Sequence, residues 1–200
     1  MTSILVLGGV RSGKSRYAER LLADAAGVRY VAPGPVPDPA ADPDWAERVR
    51  LHQDRRPAHW ETWETARQPA GLAEAVATAP RAVLVDCLGT WLAGLVHEAQ
   101  AWDDRDRATE AVDHGLDGLI AALAVPPGPV VLVTNEVGLG VVPEHASGRL
   151  FRDLLGRINA RVAEACDHVA LVVAGRVLDL TAAPTVAAAA PLPSASPEAP

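Results

Sequence analysis

The chain has 200 residues, 49% of them apolar, a net charge of −7 and two cysteines. That length suits a single domain with a substantial core, and the apolar runs are strand-length, well short of the ~20 residues that cross a bilayer, so no membrane insertion is expected. The acidic balance argues against a broad nucleic-acid surface, though not against a local basic pocket, and Cys87 and Cys166 are too few for a disulfide framework, so buried thiols in a reducing cytoplasm are expected.

Met1-Thr2-Ser3 leads directly into the first predicted strand, Ser3–Leu7, so no signal peptide is expected. Gly8-Gly9-Val10-Arg11-Ser12-Gly13-Lys14-Ser15 follows and fits G-x-x-x-x-G-K-[ST] in full. Lys14 is the sole lysine of the chain, against seventeen arginines. Arginine could supply the charge, but its planar fork substitutes poorly for a compact ammonium reaching between phosphates. A helix is predicted from Ser15 to Ala25, with Tyr17, Ala18, Leu21, Leu22 and Ala25 on one apolar stripe. Strand, glycine loop and helix together make a phosphate cradle of backbone N–H groups. In that cradle Lys14 reaches the β- and γ-phosphates and the Ser15 hydroxyl holds Mg²⁺.

Further strands are predicted at Val28–Ala32, Ala82–Cys87, Val130–Thr134 and His168–Val173, and a short hairpin return at Val177–Leu180. Helical spacing recurs over 107–124 and 148–165. Strands alternating with helices give an α/β fold with a mostly parallel sheet flanked by helices. Pro33 to Pro43 reads as a loop. Residues 181–200 hold too little apolar bulk to fold and are expected to form a disordered Ala/Pro-rich tail, leaving 1–180 as the domain.

Residues 45–64 of this acidic chain hold four arginines, two histidines and three tryptophans. Trp45, Val49 and His52 share one helical face, and Pro57 ends that helix. An amphipathic helix with a solvated basic face would look similar. The density of basic and aromatic groups, with a phosphate cradle elsewhere, favours His52 as a nucleophile toward the α-phosphate of a nucleotide. An imidazole with an ordinary pKa near ~6.5 is mostly neutral at neutral pH, as attack requires. Nearby arginines would offset charge developing on the phosphoryl oxygens. His59 lies beyond Pro57 and is the weaker candidate.

Asp86 ends an apolar strand, where a P-loop enzyme places the carboxylate that orients Mg²⁺. A helix N-cap is the alternative. Thr134-Asn135-Glu136-Val137-Gly138 closes another strand at the edge where open α/β sheets bind ligands.

Taken together, these blocks resemble the bifunctional adenosylcobinamide kinase / adenosylcobinamide-phosphate guanylyltransferase family. The resemblance covers about residues 3–180. It rests on Gly8 to Arg16, on Arg48-Val49 with His52 and Arg55-Arg56-Pro57, and on Trp60 to Glu64. Asp86-Cys87-Leu88, Thr134 to Pro143, Arg149 to Asp153 and Gly156 to Asn159 extend it. It implies a RecA-like P-loop NTPase fold, a homotrimer, and two reactions of cobalamin biosynthesis. A nucleoside triphosphate, ATP or GTP, phosphorylates the aminopropanol hydroxyl of adenosylcobinamide, a corrinoid. GTP then guanylylates an enzyme histidine, and the GMP passes to the cobinamide phosphate to give adenosylcobinamide-GDP. By matching position the resemblance makes His52 that histidine. It assigns Gln53, Asp54, Arg55, Arg56, Glu64 and Asp86 to the nucleotide site with the loop Gly8–Ser15, and Ser15 and Asp86 to Mg²⁺. A family segment after the second strand corresponds here to Pro33, Gly34 and Pro35, which depart from its usual Ala-Thr composition.

Two rivals remain on sequence alone. One is a simple P-loop kinase for another small metabolite, with His52 only binding nucleotide. The other is a regulatory nucleotide-binding module with residues 181–200 as its interaction arm.

Overall fold

The computed structural model describes residues 2–189. Seven strands form one sheet: β1 (Ser3–Gly8), β2 (Val28–Ala32), β3 (Glu61–Glu64), β4 (Ala82–Asp86), β5 (Val130–Asn135), β6 (His168–Val173) and β7 (Arg176–Asp179). Their order across the sheet is β3-β2-β4-β5-β1-β6-β7, parallel except for the β6–β7 hairpin. The helices are α1 (Lys14–Leu21), α2 (Pro43–Arg55), α3 (Leu72–Ala77), α4 (Leu88–Glu98), α5 (Arg105–Ala122) and α6 (Ala146–Ala165).

Side-chain alternation along the strands builds two cores. Leu5, Val83, Val85, Val130 and Leu132 pack with α3 to α6 on one face. Val6, Leu84, Val131, Val133 and Tyr30 pack with Ala18 and Leu22 of the α1 region on the other. Asp86 shares the parity of Leu84, so it projects toward α1 rather than toward the α4 side. This period-two pattern delivers a carboxylate to the phosphate-loop face of the sheet.

Five of the six parallel strands and the terminal hairpin occur where the sequence pattern puts them. Three elements do not follow from the pattern: β3, α3 and α4. The predicted Ser15–Ala25 helix is shorter, ending at Leu21. Of the tail expected over 181–200, residues 181–189 form turns, starting with the Leu180 N–H donating to the Val169 carbonyl at 2.8 Å. Residues 190–200 lie outside the described residues. No helix among the described residues is long and apolar enough to cross a membrane. Cys87 and Cys166 are free thiols, each half-buried as a residue, and burial pushes both thiols above their usual pKa.

Candidate active site

The phosphate loop joins β1 to α1. Gly13, at φ 102°, turns the chain into the helix without the steric cost a side chain would meet there. Gly8 is needed for space. A Cβ on it would stand 2.5 Å from Ser12 Oγ and 2.6 Å from the Val172 carbonyl oxygen, whereas one on Gly9 would meet nothing within 4 Å. The Ser12 hydroxyl accepts from the Lys14 N–H at 3.4 Å. The Gly175 N–H, at the β6–β7 turn, donates to the Ser12 carbonyl at 3.0 Å and braces the loop from below. Lys14 is buried, and its ammonium donates to the Gly9 carbonyl at 3.3 Å. Burial lowers the Lys14 pKa below its usual value; Cys87 and Asp86 oppose the shift and Arg48 adds to it. Gly8→Ala is expected to cost about 2 kcal/mol by overpacking against fixed backbone. For a chain of this size that corresponds to roughly 5 °C in Tm, read by calorimetry alongside weakened nucleotide binding.

Helix α2 carries the histidine block. Asp42 caps it by accepting from the Trp45 N–H at 2.9 Å, and Pro43 opens the first turn. The helix buries none of its residues. Polar anchors hold it instead. The Trp45 indole N–H donates to the Pro35 carbonyl at 2.9 Å, and the Trp45 ring leaves room only for glycine at Gly34, where a Cβ would approach it to 2.8 Å. The Arg56 guanidinium lies 3.3 Å from the Tyr30 ring centroid. Arg55 reaches Glu19 of α1 with Nε at 3.2 Å and Nη2 at 3.1 Å.

These anchors put His52 at a junction. It lines both a cleft of about 1060 Å³ over the phosphate loop and a smaller adjoining pocket. The cleft is bounded by Arg11 to Arg16, Arg48, Arg55 and the Ala174-Gly175 turn. The pocket is bounded by Tyr30, Gly34-Pro35, Gln53, Arg56, Glu64 and Asp86. His52 Nδ1 lies 3.6 Å from Asp86 Oδ2 and 3.9 Å from Glu19 Oε1, and Arg55 Nη2 donates to it at 3.2 Å. Burial lowers the His52 pKa most; Asp86 and Glu19 pull it up, and Arg55 and Arg48 push it further down. The result favours neutral imidazole. Burial, reinforced by Asp86, raises the Tyr30 phenol well above its usual value, so it stays protonated.

Residues 4–180 match the family described as cobinamide kinase / cobinamide phosphate guanyltransferase. The chain belongs to this family. The bifunctional adenosylcobalamin biosynthesis protein CobU of Salmonella typhimurium is 43% identical over 178 residues, covering 86% of this chain and 96% of that protein. The protein of the same name in Escherichia coli is 40% identical over 177 residues, covering 86% and 96%. Among solved structures, a type III secretion system ATPase aligns over 85% of this chain and 51% of its own at 13% identity, with a TM-score of 0.56. That likeness concerns the fold alone and supports the P-loop NTPase architecture. As a member of the cobinamide kinase / guanyltransferase family the chain is a bifunctional kinase and nucleotidyltransferase that uses nucleoside triphosphates. This membership sets aside the purely regulatory module.

Within this family member the expected site residues divide. Arg11, Ser12, Gly13, Lys14 and Ser15 line the cleft, while Gly8, Gly9 and Val10 form the strap leading into it. Gly34, Pro35, Gln53, Arg56, Glu64 and Asp86 line the pocket, and Arg55 lines the cleft. Pro33 and Asp54 line neither. Asp54 faces solvent and pairs with Arg50 at 2.5 Å on the outer side of α2. His59 is exposed and lines neither space.

The Thr134 to Gly138 block is tied to α6. The Thr134 hydroxyl donates to Asn159 Oδ1 at 2.7 Å, and Asn159 Nδ2 donates to the Asn135 carbonyl at 3.0 Å. Arg152 donates to the Gly138 and Gly140 carbonyls and holds the following loop. Asn135 reaches the pocket.

Sequence reasoning missed Glu19, Tyr30 and Thr90 as site-lining or site-supporting groups. Glu19 lies four residues after Ser15, hence on the same helical face, and that spacing was a usable signal. Tyr30 reads as an ordinary core aromatic in a strand.

The residues present fit Mg²⁺. Asp86 Oδ2 is buried with no hydrogen-bond partner, and Ser15 stands in the first turn of α1 beside the cleft. No cluster of three or more His, Cys, Asp or Glu suited to a metal occurs among the described residues. Mg²⁺ characteristically needs only one or two protein ligands, substrate phosphates and water completing its shell.

Proposed function

We propose that this enzyme phosphorylates adenosylcobinamide on its aminopropanol hydroxyl and then guanylylates the product through a covalent GMP–His52 intermediate. The observation that carries the reading is His52 itself, an imidazole shared by the phosphate-loop cleft and the adjoining pocket, whose pKa burial lowers. A nucleotide with its polyphosphate in the cleft would bring its α-phosphate to that junction.

In the kinase step the substrate hydroxyl attacks the γ-phosphorus in line, and the nucleoside diphosphate leaves. Lys14 and the loop N–H groups offset charge on the transferring oxygens. In the transfer step an imidazole nitrogen of His52 attacks the α-phosphorus. A P–N bond forms, the α–β P–O bond breaks, and pyrophosphate departs into the phosphate loop. The cobinamide phosphate oxygen then attacks the same phosphorus, the P–N bond breaks, and imidazole is regenerated. Two moderate displacements replace one difficult one. Arg48 and Arg55, both bordering the cleft, would offset charge on the α-phosphate oxygens. Mg²⁺, held by Ser15 and Asp86, would supply charge neutralisation between phosphates.

The assembly we propose is a homotrimer. Leu139, Val141 and Val142 stand exposed in the single chain and offer apolar surface to bury.

Incubation with α-³²P GTP and Mg²⁺ is expected to leave acid-labile label on the denatured protein. Adding adenosylcobinamide phosphate should discharge it into adenosylcobinamide-GDP. Failure to label would favour the plainer kinase in which His52 only binds nucleotide.

A further inference from the structure

Helix α2 carries His52 yet buries no residue of its own, so apolar packing does not fix where the imidazole sits. Of the anchors described, the one at the histidine turn is the pair Glu19–Arg55. Glu19 extends from α1, the helix that begins at Lys14. Its side chain is 11% exposed, and both of its oxygens accept from Arg55, at 3.1 and 3.2 Å. The Arg55 Nη2 that meets Glu19 also donates to His52 Nδ1 at 3.2 Å. Through Arg55 the His52 ring is thus tied to Glu19 on the phosphate-loop helix. A second carboxylate, Asp86, stands 3.6 Å from the same Nδ1.

Resting on the guanylyl-histidine reading, we propose that Glu19 is a positioning residue for guanylyl transfer: by fixing Arg55 it registers the His52 ring to the phosphate-loop helix. A partner one step removed commonly governs where a histidine ring is aimed. The phosphate loop, Lys14 and Asp86 serve the kinase step without the α2 imidazole. Loss of Glu19 therefore weighs on the transfer step.

The charged groups facing His52 are Glu19 from α1, Asp86 from β4, and Arg48 and Arg55 from α2 itself.

The test uses the full chain. Guanylyl-enzyme formation from α-³²P GTP is timed by rapid quench over a range of GTP concentrations and compared with kinase turnover on adenosylcobinamide, in wild type, Glu19→Gln and Glu19→Asp. In Glu19→Gln the ratio of labelling rate to kinase rate is expected to fall at least tenfold at saturating GTP, while the GTP concentration for half-maximal labelling stays near wild type. In Glu19→Asp, which keeps the charge but shortens the reach, the ratio falls less than in Glu19→Gln, again with half-maximal labelling near the wild-type GTP concentration. Thermal melts check that the variants are folded, and Glu19→Asp carries the test if Glu19→Gln is not. Wild-type ratios in folded variants, or equal loss of both activities, overturn the proposal while leaving the guanylyl-histidine intact. A wild type that takes no label overturns both.

Discussion

His52→Ala is expected to lose guanylyl transfer by roughly 10³-fold or more, because the covalent route has no other nucleophile of matching reach. That is about 4 kcal/mol of barrier at 1.36 kcal/mol per decade. Kinase turnover should fall far less, since its nucleophile belongs to the substrate. Radiolabel from α-³²P GTP would vanish from the protein while adenosylcobinamide phosphate still accumulates, which product chromatography reads directly. The pH profile of the wild type follows from the same residue. Burial is the largest influence on His52 and lowers its pKa from the ordinary 6.5, so labelling should be flat through neutral pH and fail only on a limb below that value. The stability linkage has the same sign. Above the ordinary value the imidazole is neutral both folded and unfolded and costs nothing. As pH falls from there to the lower folded value, the unfolded chain takes up the proton first and stability declines. A labelling limb at or above the ordinary value would contradict a buried, neutral nucleophile.

The phosphate loop was legible because its motif, its flanking strand and its helix are local and depend on one another. The parallel sheet was legible because alternating strands and helices admit few other architectures. Helix α4 was not. Leu88, Trp91, Leu92, Leu95 and Val96 are all buried, so its polar contrast is weak and periodicity has little to register. Strand β3 failed for the opposite reason. All four of its residues are exposed at a sheet edge, and charged edge strands lack the apolar alternation that identifies a strand. The neighbourhood of His52 was legible in kind but not in geometry. Basic and aromatic density marked α2, and family resemblance marked Asp86. Yet Glu19 and Arg55 are 36 residues apart and meet only because two helices lie against each other, which spacing along the chain does not encode. Asp54 illustrates the converse: neighbouring Gln53 and Arg55 line the site, but at about 100° per residue the helix turns Asp54 toward Arg50 and solvent.

Lys14→Ala is expected to reduce both reactions by roughly 10²–10³-fold, as loss of a charge-stabilising donor in a preorganised site does. This separates it from His52→Ala, which splits the two activities. The shared loss follows from position. The ammonium borders the cleft that takes the polyphosphate in either step, whichever phosphorus reacts. Lys14→Arg should rescue little. The side chain is only 4% exposed, and its ammonium sits within hydrogen-bond reach of the Gly9 carbonyl, leaving small room for a planar guanidinium of different reach. Stability should move the other way from activity. Burial depresses the Lys14 pKa, so the folded protein carries a charge it solvates poorly, and alanine removes that cost. Nucleotide-free Lys14→Ala is therefore expected to melt no lower than wild type, while isothermal titration shows GTP binding weakened. A variant that melts markedly lower would mean that Lys14 braces the loop rather than serving the phosphates, and the cradle would need another source of positive charge.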